Sequence, residues 1–134
     1  MAIGIADILS GSVSIGPSDD GFSDFQVTGL PVGPTLTGTV LTYTVPAGKT
    51  LYLKGAQVGG DGGGIFFLKV ASLDQARCRT RQDYPDNYML FDQINGLKVL
   101  AGVTVEIEAT NYCQSGKPAS GSFDYWGRIY GELK

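Results

Sequence analysis

From Thr37 onward the chain alternates between apolar and polar positions. Leu41, Tyr43 and Val45 are separated by Thr42 and Thr44, the period of two that marks a half-buried strand. Pro46-Ala47-Gly48-Lys49 reads as a turn. A second strand follows over Thr50 to Val58, with Leu51 and Leu53 on one face, and then the run Gly59-Gly60-Asp61-Gly62-Gly63-Gly64, which reads as a loop. Ile65 to Val70 predicts a third strand. Ala76 to Arg81 sets Arg77, Arg79 and Arg81 against Cys78 and Thr80, the pattern of a fourth; a short helix opened by Ser72, with Gln75 three residues on, competes there. Tyr84-Pro85-Asp86-Asn87 is expected to turn. Met89 to Ile94 and Leu97 to Leu100 are expected to be short strands around Asn95-Gly96, a hairpin dipeptide. The cleanest alternation is Val103, Val105, Ile107 and Ala109 against Thr104, Glu106, Glu108 and Thr110. A last strand over Phe123 to Leu133 closes the domain after a loop from Gln114 to Gly121.

Residues 1–36 behave differently. The stretch from Ser10 to Gly38 is rich in Gly, Ser, Asp, Pro and Thr and holds no sustained period, so 1–36 is read as an extended arm and 37–134 as the folded domain, with a plain first strand plus loops as the competing description. Charge follows the same division. The first 48 residues hold Asp7, Asp19, Asp20 and Asp24 and no Lys or Arg.

A weak internal repeat supports two facing units. Val45-Pro46-Ala47-Gly48-Lys49-Thr50 matches Val99-Leu100-Ala101-Gly102-Val103-Thr104 at Val, Ala, Gly and Thr. Each is followed by a strand, a loop and a strand that opens on Gly. The bland account is that Ala-Gly-x-Thr is one turn solution used twice. Both accounts give an all-β fold, an antiparallel jelly-roll-like β-sandwich with an extended N-terminal arm.

Composition narrows the chemistry. Of 134 residues 20 are Gly, with no collagen-type period, which fits many turns. There is no His, so Ser-His and Cys-His catalytic pairs and the commonest zinc ligand are excluded. A net charge of −3 disfavours a generic nucleic-acid binder. The start shows no basic region ahead of an apolar run, and no apolar stretch nears the ~20 residues that span a bilayer, so neither a signal peptide nor a membrane span is expected. Cys78 and Cys113 are then expected to be free thiols.

Other motifs reduce to simple accounts. The Gly59–Gly64 run lacks the Lys-Ser/Thr of a phosphate loop. Glu106 and Glu108 form a conceivable acid pair but lie on an outward face, where solvated charge is the simpler description. Asp19-Asp20-Gly21-Phe22-Ser23-Asp24 lacks the ligand register of a calcium loop. No cofactor and no metal are expected.

Apolar and aromatic residues on outward faces carry more. In the last strand Trp126 and Tyr130 flank Arg128 on the face opposite Tyr125 and Ile129. They are covered by this chain, or form a partner interface, where Trp, Tyr and Arg are over-represented, or make a flat sugar-stacking platform. In the third strand Phe66 and Leu68 fill the core, which leaves Ile65 and Phe67 needing another cover. The stripe Arg77, Arg79, Arg81 is either an edge strand guarded by charge or a docking site for an acidic surface, the acidic arm of a neighbouring copy included.

The string from Val45 to Val58, the Gly-rich loop, Phe66-Phe67-Leu68-Lys69-Val70, then Leu97 to Asn111 and the closing Gly121-Ser-Phe-Asp-Tyr-Trp-Gly127 resembles small β-sandwich virion proteins of tailed phages, capsid decoration (cement) proteins above all. The resemblance covers about residues 40 to 133 and is one of turns and strands, with no fixed residue set to carry over. It implies a non-enzymatic homotrimer on the outer capsid surface, assembled in the host cytoplasm, which binds across subunits of the major capsid protein. The alternative is a tail or fibre receptor-binding or carbohydrate-binding sandwich. The expected interface residues are Ile65, Phe67, Arg77, Arg79, Arg81, Trp126, Arg128 and Tyr130.

Overall fold

The structure, a computed structural model, describes residues 21–81, 84, 86–91, 96–112 and 121–134. Nine strands follow one another: β1 (Gly21–Val27), β2 (Thr37–Thr44), β3 (Leu51–Gly60), β4 (Ile65–Val70), β5 (Leu73–Arg79), β6 (Asp86–Leu90), β7 (Leu97–Val99), β8 (Thr104–Thr110) and β9 (Tyr125–Leu133). They form two antiparallel sheets, one ordered β1-β9-β3-β6 with β7 also on β3, the other β2-β8-β4-β5. If β6 and β7 are counted as one interrupted strand, this is the eight-strand order of a jelly roll. The fold class expected from the alternation is the one observed.

The core lies between the sheets. Leu51, Leu53, Ala56 and Val58 of β3 and Tyr125 and Ile129 of β9 face Leu41, Phe66, Leu68, Val105, Ile107 and Ala109 of the other sheet, all fully buried. Each large apolar side chain so buried contributes about 1.5–3 kcal/mol. The Phe66 and Tyr125 rings meet edge to face at 5.4 Å, and the Tyr125 hydroxyl donates to the Gly63 carbonyl at 2.7 Å.

The two repeated turns meet. Lys49 N–H donates to the Pro46 carbonyl and Val103 N–H to that of Leu100, with Gly48 at φ 77° and Gly102 at φ 82°, as a type II turn requires. Each turn carries the chain from one sheet to the other. They are bonded together through Val45, whose N–H donates to the Val103 carbonyl and whose carbonyl accepts from Gly102 N–H. The repeat therefore marks corresponding corners of the sandwich, at one end of it.

Several expectations need correction. Gly21–Val27, placed within the arm, is an edge strand paired along β9 without a register break, and Val32 is in the core. The folded domain thus begins at or before Gly21, not at residue 37; residues 1–20 lie outside the described residues. The Ser72 helix does not form. Ala71 and Ser72, at φ 52° and 66°, make a two-residue turn that joins β4 to β5 as a hairpin. Asp86 and Asn87 belong to β6 and not to a turn. No hairpin joins β6 to β7: both pair with the same edge of β3, at Gly55–Gly59 and at Leu51–Leu53, because β3 is long enough to hold two short partners in succession. Asn95, Cys113 and most of the 114–121 loop lie outside the described residues.

The sandwich is also fastened along one flank. The Gln26 side-chain amide donates to the Thr42 carbonyl at 2.8 Å and accepts from Thr42 N–H at 3.2 Å, so it satisfies the edge of β2 as another strand would. Among the described residues no helix is long and apolar enough to cross a membrane.

Candidate interaction surface

The two outer faces of the sandwich differ in chemistry. On the β2-β8-β4-β5 sheet, Thr37 bonds Thr110 and Thr44 bonds Thr104 through their hydroxyls, and Lys69 pairs with Glu108 at 2.7 Å. Glu108 holds the Lys69 ammonium above its ordinary value through that hydrogen bond. Glu106 lies on the same face, so the two carboxylates are part of a polar, solvated surface.

The opposite sheet presents a different outer face. Cross-strand register puts three rows side by side: Val27, Trp126 and Gly59; Phe25, Arg128, Gln57 and Tyr88; Ser23, Tyr130, Gly55 and Leu90. Phe25, Val27, Tyr88 and Leu90 are 50–68% exposed, although large and apolar or aromatic. Trp126 and Tyr130 lie half-buried between them, and Arg128 is exposed.

Glycine explains why these rings lie flat. A side chain at Gly59 would stand 2.5 Å from the Trp126 ring, and one at Gly55 would stand 2.6 Å from the Tyr130 hydroxyl. Each ring covers its directly paired glycine across the β3–β9 ladder. The Phe25 ring lies 5.8 Å from that of Trp126, and the Arg128 guanidinium sits 5.7 Å over Tyr130. The surface is therefore a shallow sheet of rings and aliphatic carbon with one central cation. Strand spacing gives it an area on the order of 400 Å², within the range of the largest apolar patch on a typical monomer.

At one end this face dips into an open groove of about 430 Å³, lined by Phe22, Ser23, Lys54, Arg128, Tyr130 and Glu132 among others. Lys54 and Lys134 both approach the Glu132 carboxylate, at 3.8 and 3.3 Å.

The expected interface residues divide into two sets. Trp126, Arg128 and Tyr130 are together on the aromatic face. Ile65, Phe67, Arg77 and Arg79 are together on the opposite sheet. There Ile65 pairs with Arg79 and Phe67 with Arg77, and both apolar side chains are half-buried. The Arg77 guanidinium lies 5.9 Å over the Phe67 ring and that of Arg79 5.2 Å over Tyr112. The cover that Ile65 and Phe67 need thus comes in part from their own neighbours. Arg81 continues the stripe beyond β5, where its backbone bonds Tyr84 both ways. β5 is an edge strand, the position at which charge discourages unwanted pairing.

Phe25, Val27, Tyr88 and Leu90 went unforeseen. Phe25 and Val27 fall in the expected arm, Tyr88 between the expected turn and the strand after it, and Leu90 inside that strand, with no face assigned to it. A period-two signal does run through Ser23, Phe25 and Val27, but it sets apolar residues outward, against the usual sense of such a pattern.

Cys78, on the inner side of β5, is a free thiol, and burial pushes its pKa up to about 11. Among the described residues no group of three or more His, Cys, Asp or Glu is placed to hold a metal ion.

No protein family and no curated protein matches the chain. Among solved structures, that of PirA resembles it with a TM-score of 0.45 and 11% identity, over 87% of this chain and 99% of that one. At that score the likeness carries nothing about function.

Proposed function

We propose that this chain is a non-enzymatic structural protein of a phage virion, a decoration (cement) protein that seats on the outer capsid and binds across subunits of the major capsid protein as a homotrimer. One observation carries the adhesive part of this reading: the flat outer face of Phe25, Val27, Trp126, Tyr130, Tyr88 and Leu90. The resemblance of the turn-and-strand pattern to cement proteins supplies the virion setting. Flat aromatic surface with a central Arg suits a broad protein partner. The patch is about half of the ~800 Å² that each partner gives to a standard interface, so a seat made by several linked copies fits it better than one copy acting alone. Burial of this surface across a subunit boundary would then penalise separation of the subunits.

Reconstitution on capsids that lack the protein tests the reading. Wild-type protein is expected to bind and raise the temperature at which the shell opens. Phe25→Ser with Trp126→Ala is expected to weaken binding at least tenfold. Equal heat resistance with and without the protein would refute the reading.

A second reading, a glycan-binding sandwich of a tail or fibre, is favoured by the groove, where Ser23, Lys54, Arg128 and Glu132 surround Tyr130. Arg128 over the Tyr130 ring weighs against it, because it takes a surface on which a sugar would stack. Glycan-array binding lost on Tyr130→Ala would establish it.

A further inference from the structure

The groove at the end of the aromatic face holds more positive than negative charge. Lys54 and Arg128 stand in its walls against one carboxylate, that of Glu132. Glu132 lies nearer to Lys134, at 3.3 Å, than to Lys54, at 3.8 Å, and Lys134 stands outside the groove. Lys54 is therefore loosely engaged, and among the described residues Arg128 meets no carboxylate at ion-pair distance. The same walls carry carbon. The Phe22 ring packs on Tyr43 at 4.6 Å, and the Tyr130 ring lies 5.7 Å under the Arg128 guanidinium. That stacking holds Arg128 in place before anything binds, so less side-chain freedom is lost when something does.

The charge and the walls define what the groove takes. Two cations against one carboxylate leave one positive charge, which a singly charged anion balances. A phosphate monoester carries nearly two negative charges and would meet Glu132 as well. Apolar walls below a cationic rim suit the short aliphatic stem of a carboxylate side chain. Position defines the source. Arg128 and Tyr130 belong both to the groove and to the aromatic rows, so a surface that lies on the rows also overhangs the groove.

We infer that the groove receives an Asp or Glu side chain of the protein on which the aromatic face seats, held between Lys54 and Arg128. The inference deepens the cement reading and rests on it for the partner. The shell surface beneath each copy is then an apolar area with an acidic residue at one side. The rings supply most of the affinity, and the carboxylate fixes which way round the copy lies. Covering the face removes water from the pair, so it is worth more there than an open ion pair on a free surface.

Lys54 tests this best, because it lines the groove and stands apart from the aromatic rows. Binding of the full chain to capsids that lack it is measured, with urea unfolding as the check on fold. Lys54→Glu is expected to weaken binding roughly tenfold or more, and Lys54→Arg to bind as the wild type does. Lys98→Glu makes the same charge change at an exposed site outside the groove and is expected to stay within about twofold. Retention on immobilised polyglutamate in low salt tests the groove without a shell: wild type and Lys98→Glu are expected to be held and Lys54→Glu to pass. Unchanged capsid binding by folded Lys54→Glu, or an equal loss in Lys98→Glu, would overturn the inference and leave the cement reading standing. Retention on single-stranded DNA in place of polyglutamate would also overturn it. A wild type that holds polyglutamate through Lys54 but ignores capsids would refute the cement reading and uphold the groove's choice of ligand.

Discussion

Individual side chains set limits that can be measured. A methyl group at Gly63 would stand 2.5 Å from the Tyr112 hydroxyl, which itself donates to the Thr80 carbonyl at 2.7 Å. Gly63→Ala is therefore expected to cost about 1–3 kcal/mol in urea unfolding. Cys78, Tyr43 and Lys69 all hold their protons more tightly when folded than when unfolded, the first two chiefly through burial and the third through Glu108. A folded-state pKa above the unfolded one means that the native state binds more protons, so stability falls as pH rises. For Cys78 the loss starts near the unfolded value of 9.0 and runs to about 11. Unfolding followed between pH 8 and 11 is expected to show this alkaline loss, and Cys78→Ala is expected to make it shallower.

Strands were legible where one face is wet and the other dry. β8 reads itself out through Val105, Ile107 and Ala109 against Thr104, Glu106 and Glu108, and β4 is bounded correctly because its apolar run starts straight after Gly64 and ends at Val70. Other elements failed for physical reasons. β1 is an edge strand whose inward residues are Phe22, Asp24 and Gln26, and its polar pair does the work of fastening rather than filling, so no apolar stripe announces it. The turn before β5 is made by Ala71 and Ser72, residues that rarely take positive φ, and tertiary pairing of β4 with β5 outweighs that local preference. Asn-Gly is the dipeptide such a turn favours. Ala71→Asn with Ser72→Gly is accordingly expected to stabilise the chain by about 1–2 kcal/mol, read as a higher midpoint in urea. In the same way, Gln26→Ala removes both bonds to Thr42 and is expected to cost about 1–2 kcal/mol.

At the scale of the molecule, the two ends and two faces have separate tasks. One end is closed by bonded turns, the other by Tyr112, Phe123 and Tyr125 pressed on the run from Gly60 to Gly64. That run was read as loop alone; its glycines also make room for rings, a role that becomes visible only when distant aromatics are brought to it. One face is polar and ion-paired, the other aromatic. Phe25→Ser with Leu90→Ser changes exposed positions only, so thermal stability is expected to stay within about 0.5 kcal/mol of the wild type per site while partner binding falls.

Trp126 is the chain's single tryptophan, and it lies half-open on the aromatic face, between Val27 and Gly59 and beside the Phe25 ring. Its indole therefore works as a built-in optical gauge: covering that face must dry the ring and move its emission to shorter wavelength, whereas a ligand held elsewhere on the sandwich would leave the colour of the light unchanged.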